Sequence, residues 1–466
     1  MKHIALLACV AAALLTACGG GGSGTTLPNP QPSNTAVQIN LGDDPADRLL
    51  AVGVTINALS LTSTSGGSVT ALSAPRSMEM MQLMGTVVPL TIASVPQGSY
   101  TGATMTFGAT TMTYVDPTTG QPVQKSLPGP MTANVMFSPP LVVGSTPMVV
   151  NLDMNMAASI AIDAGGNVSM APALSARMNP FVSGSHDPED GGMHGLTGVV
   201  SGTMSGVGGN AFALTMMQGM TGVSLMTDAG TQFAGMTGMG MMGNSMLVSI
   251  DATLQPDGSW MATRVQSRMS AGGAMAAGLV TSLTGSPTTQ LVLVMQDGIG
   301  NGMMQANLAG TTTVNIDGTT QFSIDAGSVD TSNLPFTPRF DRSNINRGQR
   351  VEAFSAGQMM QGGGMGGMMG GGTLTAASIQ LGEQGLRGIV SGYSRSGSQA
   401  SFALTLPADA AFAKLTGAGT VTVYQQSGTQ LRGVSTVANG STIQVRGLLF
   451  FDGGVFRLVA GRIGNT

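Results

Sequence analysis

GLTGVVSG (195–202), AAGLVTSL (276–283) and GLRGIVSG (385–392) are three versions of one opening, and the segments downstream of each keep the same order. A second apolar run comes next: FALTM (212–216), TQLVLVM (289–295) and SFALTL (401–406). Then a Thr-Gln pair stands ahead of Phe or Leu, beginning at Thr231, Thr320 and Thr429. The units close on LVSIDATLQPDGSWMATRVQ (247–266), on RVEAFSAG (350–357) with TLTAASIQL (373–381), and on IQVRGLLFFDGGVFRLVAGRI (443–463). A recurrence of this kind means one small supersecondary unit used several times.

The runs alternate or are β-branched, and Gly, Asp and Asn bound them, so they read as strands. Gly at 70 of 466 residues also works against helices, because each interior Gly costs about 1 kcal/mol relative to Ala. Five or so strands per unit, Gly at the bend of the first, and Asp-Gly hairpins at Asp257-Gly258 and Asp452-Gly453 predict a small Greek-key barrel of the OB type. The same order resembles an uncharacterised OB-like domain found in tandem in bacterial exported proteins. The expected units are 195–269, 276–384 with a Met/Gly-rich insert, and 385–466.

Upstream, VQINL (37–41), VGVTINALSL (52–61) and VVPLTIASV (87–95) predict strands, and APRSMEMMQLM (74–84) predicts a short helix. Residues 35–180 are expected to form one sandwich, with 181–194 as a linker. The turn Gly42-Asp43-Asp44-Pro45-Ala46-Asp47 and the segment VPQGSYTGATMTF (95–107) resemble an uncharacterised domain of bacterial lipoproteins thought to be a prealbumin-like β-sandwich. That resemblance carries no catalytic residue with it. The expected fold class is all-β: a β-sandwich domain followed by three small OB-like β-barrel repeats.

The first 18 residues, MKHIALLACVAAALLTAC, hold one cation, Lys2, and an apolar run from Ile4 to Leu15. This is the pattern of a secretory signal, too short to span a bilayer stably. Leu15-Thr16-Ala17-Cys18 resembles the lipobox of bacterial lipoproteins. The resemblance implies a signal peptide of residues 1–17, cleavage before Cys18 and acylation there, palmitate included. Several acyl chains on one residue exceed what stable anchoring needs. Gly19, in place of Asp, implies the outer membrane under the enterobacterial sorting pattern. The expected location is therefore the cell envelope, with the membrane a partner through Cys18, and 18–34 reads as a Gly/Pro-rich tether. Cys9 leaves with the signal, so no disulfide is expected.

Charge bounds the function. Only 18 Lys and Arg and 22 Asp and Glu occur, 9% of the chain, for a net −4. The basic residues are scattered, and one Trp and four Tyr offer few stacking faces, which argues against a nucleic-acid partner. An envelope protein or a glycan stays open as a partner class. Methionine, at 36 residues, is the unusual chemistry. Thioethers select Cu(I), and Met239-Gly-Met241 and Met365-Gly-Gly-Met368-Met369 have spacings that let sulfurs converge; Met also serves as an adaptable core filler or an oxidant sink. His186 and His194, in GSHDPEDGGMHG (184–195), are candidate ligands for zinc or copper, or belong to a solvated linker. Nothing rises to a catalytic constellation. The expected function is a lipid-anchored envelope protein of binding or structural type, with no enzyme activity and no cofactor. The alternatives are a Met-rich copper-binding protein and an envelope enzyme using carboxylates such as Asp43.

Overall fold

Alternation decides which side of each strand is covered. Along Leu247–Leu254, Val248, Ile250, Ala252 and Leu254 are buried while Ser249 and Asp251 face outward, the period-two pattern of a half-buried strand. A computed structural model describes residues 33–44, 46–163, 165–206, 209–269, 273–300, 303–304, 308–355 and 372–465, and strands dominate it. Among the described residues no helix is long and apolar enough to cross a membrane.

The chain begins with a β-sandwich. One sheet runs Leu174–Pro180, Met148–Asn155, Asn34–Asp44, Val87–Pro96. The other runs Ser68–Leu72, Leu49–Ser63, Gly98–Val115, Pro122–Leu127, with Arg76–Glu79 also on Leu49–Ser63 and Met131–Val143 also on Gly98–Val115. Val37, Ile39 and Leu41 from the first sheet meet Val54, Ile56, Met105 and Phe107 from the second in one core.

The helix expected over 74–84 does not form. Arg76–Glu79 is a strand paired with Leu49–Ser63, and only Met81–Leu83 turns, as a 3-10 helix. The cause is tertiary: the Glu79 carboxyl, fully buried, accepts the backbone N–H groups of Val52 at 2.8 Å, Met81 at 3.0 Å and Gln82 at 2.9 Å. A buried carboxyl with three backbone donors fixes the corner more firmly than local helix propensity can.

Three OB-like barrels come after the sandwich. The first closes Gly192–Gly206, Gly209–Met216, Val223–Thr227, Trp260–Met269 and Leu247–Leu254 into a ring, strands one, two, three, five and four in that order. Its third and fifth strands are parallel, Leu225 opposite Trp260. The third barrel repeats this ring with Glu383–Ser396, Gln399–Thr405, Thr420–Arg432, Val455–Asn465 and Thr442–Asp452. In the second, Ala274–Thr284, Gln290–Gly300, Thr311–Asn315 and Arg350–Ser355 supply four strands, and the fifth is split: Gly372–Thr375 pairs with the third strand and Ser378–Leu381 with the fourth.

The recurring Thr now has a job. Its hydroxyl donates to the carbonyl of an Ala on the fifth strand, or in the second unit at that strand's break: Thr231 to Ala262 at 2.7 Å, Thr320 to Ala376 at 2.8 Å, Thr429 to Ala460 at 2.7 Å. The same oxygen accepts the N–H three residues earlier, of Asp228, Asp317 and Gln426. Just past each Ala the register slips by one residue. Thr263 is the extra residue in the first barrel and Gly461 in the third, and the second barrel breaks its strand there. A β-bulge re-aims the side chains beyond it, and here those are Arg264 and Arg462.

Glycine is required where first and second strands cross closely. A Cβ on Gly278 would lie 1.9 Å from the Val294 carbonyl oxygen, and one on Gly388 2.5 Å from that of Thr405. Gly278→Ala is expected to lower stability by about 1–3 kcal/mol, the range for overpacking. Gly202→Ala, which meets nothing within 4 Å, should stay within about 0.5 kcal/mol of the parent. Equal urea midpoints for the two variants would refute the crossing argument.

The barrels are not beads. Leu448, Phe450 and Val459 belong to the third barrel by chain but lie in the core of the second, where Phe336 meets Phe450 edge-on at 5.7 Å. Val199, Met217 and Leu247 of the first barrel pack on Met275, Ala277 and Phe354 of the second. Leu50 and Val115 of the sandwich pack on Val294 of the second barrel and Leu415 of the third.

Candidate ligand site

The outer faces of the fourth and fifth strands carry the charge that the cores exclude. Asp251 and Arg446 occupy one position in the first and third barrels, opposite Arg264 and Arg462 on the fifth strand. In the second barrel that position holds Phe354, opposite Ser378, and Glu352 lies two residues before it on the same face. Asp251, Glu352 and Arg446 all line a single cleft of about 280 Å³. Arg264 and Arg268 join them from the first barrel, Asp297 and Arg350 from the second, Glu383 and Arg462 from the third, and Gln82 and Thr86 from the sandwich. Five arginines and five carboxyls thus meet in one place, in a chain that is only 9% charged.

One end of the cleft is a closed ion-pair network. The Arg268 guanidinium donates to Asp325 at 2.7 Å and to Glu352 and Gln380, each at 2.8 Å. Arg350 reaches the second oxygen of Glu352 at 3.1 Å. Burial works to raise the Glu352 carboxyl, yet Arg350 and Arg268 together outweigh it and hold the group below the usual carboxylate range. Nearby, burial pushes Asp297 up to about 7, against a hydrogen bond from Gln218 and the field of Arg350.

The other end is built on the corner that Glu79 fixes. The 3-10 turn leaves three carbonyls pointing at the third barrel: Arg446 donates to Gln82 O at 2.8 Å and Met84 O at 3.3 Å, and Arg462 to Gly85 O at 3.1 Å. Glu383 pairs with Arg446 at 3.3 Å. Arg462 otherwise reaches only the Gln430 side-chain oxygen at 3.4 Å, and Arg264 only that of Gln266 at 2.7 Å. Among the described residues, neither of these bulge-directed arginines has a carboxylate oxygen within 4.0 Å. His194 completes this end. Its hydrogen bond to Asp251, 3.0 Å from Nδ1, raises its pKa in spite of burial.

Asp297 makes stability pH-dependent in a defined sense. Its folded pKa of about 7 lies above the ordinary 3.8, so between these values the folded chain holds a proton that the unfolded chain has released. That contribution is complete below about pH 4 and lost as pH rises through 7. Asp297→Asn is expected to flatten the decline between pH 4 and 7 and to leave the variant more stable than the parent at pH 8. Glu79, pushed up to about 8 by burial, adds a fall of the same sign that the variant keeps. Urea midpoints across that pH range check this, and an unchanged slope would count against it.

The residues singled out from sequence are dispersed. Gly192–Gly206 is a strand, so His194 sits in the first barrel and on the cleft, while His186 hydrogen-bonds Thr263 Oγ1 at 2.8 Å and does not line the cleft. Met239 packs against the first barrel's core. Met241 is 56% exposed, and its sulfur accepts from Thr237 N at 3.3 Å and Oγ1 at 3.2 Å. Their neighbours Met236 and Met242 are buried as core. Cys18, Met365, Met368 and Met369 lie outside the described residues. Among the described residues no group of three or more His, Cys, Asp or Glu is placed to hold a metal ion. Sequence reasoning missed the cleft, although a signal was present: one slot of the repeat reads Asp in SIDAT and Arg in QVRGL, and RVEAF carries a Glu two residues before that slot.

No protein-family model matches the chain, and no curated protein matches it. Among solved structures, the chain is similar to a deletion mutant of the single-stranded DNA binding protein from Thermus aquaticus, at 15% identity over 42% of this chain and 93% of that one. The TM-score is 0.16, a value at which the likeness bears on neither fold nor ligand.

Proposed function

We propose that the chain is a lipid-anchored envelope protein of binding type whose ligand sits in the cleft where the sandwich and the three barrels meet. The observation that carries the reading is the gathering of five arginines and five carboxyls around about 280 Å³ of open space in a charge-poor chain. That volume is near the lower end for small-molecule sites. The fourth-strand position that lines the cleft in the first and third barrels has diverged to Asp251 and Arg446, and the second barrel lines it with Glu352, two residues before its own Phe354 at that position, whereas the Thr latch that only holds the barrels together is the same in all three. The anchor rests on the lipobox-like segment ending at Cys18. The resemblance of the sandwich to a bacterial lipoprotein domain, and of the barrels to a tandem domain of exported proteins, fits the same location.

Two measurements test this. Cys18→Ser is expected to move the protein from the detergent-extracted membrane fraction to the soluble one and to abolish palmitate labelling. Thermal-shift screening of the purified chain against a library of small polar molecules is expected to find a ligand that stabilises the parent but not Thr197→Trp, a substitution in the cleft wall. A library without such a ligand, or one stabilising both chains equally, would overturn the cleft as the site.

A further inference from the structure

At one end of the cleft the guanidiniums outnumber the carboxylates hydrogen-bonded to them. Arg350 and Arg462 both act on Arg446, and His194 lies within reach of Arg462. Glu383 is the carboxylate hydrogen-bonded there to Arg446. Burial lowers the pKa of both Arg446 and Arg462, against the field of Glu383 at Arg446, where like-charge crowding adds to the effect, and against those of Glu189 and Glu383 at Arg462, which act from beyond hydrogen-bond distance. Desolvated guanidiniums are stable only when paired. Arg462 donates to two neutral oxygens, Gly85 O and Gln430 Oε1, and Arg264 donates to one, Gln266 Oε1.

The position of these two arginines is set by the architecture of the repeat rather than by chance on a surface. Gln232 pairs with Arg264 and Gln430 with Arg462 at the same register, directly after the latched Ala and the bulge. In the second barrel that register holds Ser378 opposite Gln321, so two barrels out of three present a guanidinium to the cleft. A planar guanidinium with free donors matches the paired oxygens of a carboxylate or a phosphate.

We infer that the cleft takes a small oxyanion-bearing molecule, its carboxylate or phosphate group seated at the Arg446 and Arg462 end with Arg264 as a second donor. This rests on the reading of the cleft as the binding site and adds the chemical class of the ligand. Lys replacements separate charge from geometry, because an ammonium keeps the charge and loses the fork.

Isothermal titration of the full chain in detergent tests it with four probes: inorganic phosphate, succinate, glucose and spermidine. Phosphate or succinate is expected to bind, and whichever binds more tightly tells phosphate chemistry from carboxylate. Arg462→Gln and Arg264→Gln should each weaken that binding about tenfold or more, Arg462→Lys less, and Arg395→Gln, whose side chain is exposed on the Gly397 carbonyl, not at all. Melting points of the unliganded variants close to the parent's show that they fold. If glucose or spermidine binds instead, and Thr197→Trp abolishes it, the oxyanion inference fails while the cleft survives as a site. If neither anion binds, or either binds equally to Arg462→Gln and Arg264→Gln, the inference is overturned. If none of the four binds, the reading of the cleft itself loses its support as well.

Discussion

Phe450→Ala is expected to lower unfolding free energy by about 3–5 kcal/mol, the usual range for emptying an aromatic site in a core. The side chain is 1% exposed, and its strand, Thr442–Asp452, is apolar on both faces. Val445 and Leu449 fill the third barrel, while Leu448 and Phe450 fill the second. Removing the ring takes away its edge-on contact with Phe336 and leaves a void between two barrels, so both should weaken together. The measurement is urea unfolding tracked in parallel by far-UV circular dichroism and by fluorescence of Trp260, the chain's one tryptophan, which sits in the first barrel. A shift below about 1 kcal/mol would mean that the shared core does not couple the two units.

Arg268→Ala is expected to cost up to about 3–5 kcal/mol, the range for breaking a buried ion pair, because Glu352 keeps only Arg350 and Asp325 loses its hydrogen bond from Arg268. The Arg268 side chain is 7% exposed and that of Glu352 17%, and the pair ties the first barrel to the second. The loss has a pH signature. The Glu352 carboxyl is held below its ordinary 4.5 in the folded chain, so its contribution is present above that value and disappears as pH falls through the folded pKa. The gap between parent and variant should therefore be largest near pH 7 and shrink well below pH 4.5. A gap that is small at pH 7, or that grows on acidification, would refute the network as a stabilising element.

Much of the architecture is legible in the sequence. The three openings, the second apolar runs and the closing hairpins are local signals, and the barrels keep the order they predict. The turn at Asp452 to Val455 even shows positive φ at Gly453 and Gly454, as a two-residue hairpin with right-handed strand twist demands. The recurring Thr is visible as a letter, but its role depends on a carbonyl about 30 to 55 residues away in the chain. The segment 74–84 misleads because its Met-rich pattern suits a helix, while the decisive contacts come from a carboxyl folded back on Val52. The cleft is hidden for a related reason. Arg264, Arg350, Arg446 and Arg462 are far apart along the chain, and scattered cations argue against a basic site only as long as the fold keeps them apart. Topology gathers what sequence disperses: outward positions on the fourth and fifth strands of all three barrels turn to a common centre.

The interlocked cores also bear on how such a chain can change over generations. Tandem modules that touch only through linkers are gained and lost one at a time, because each copy brings its own interior. Here Leu448, Phe450 and Val459 are lent to a neighbour, so splicing a new copy between the second and third barrels would leave the second barrel with a hole and the third with a bare apolar face. The second barrel instead varies in length within itself, at the stretch between Ser355 and Gly372 that separates its fourth strand from its divided fifth. Growth by insertion into a single copy, rather than by adding copies, is the path this interior leaves open.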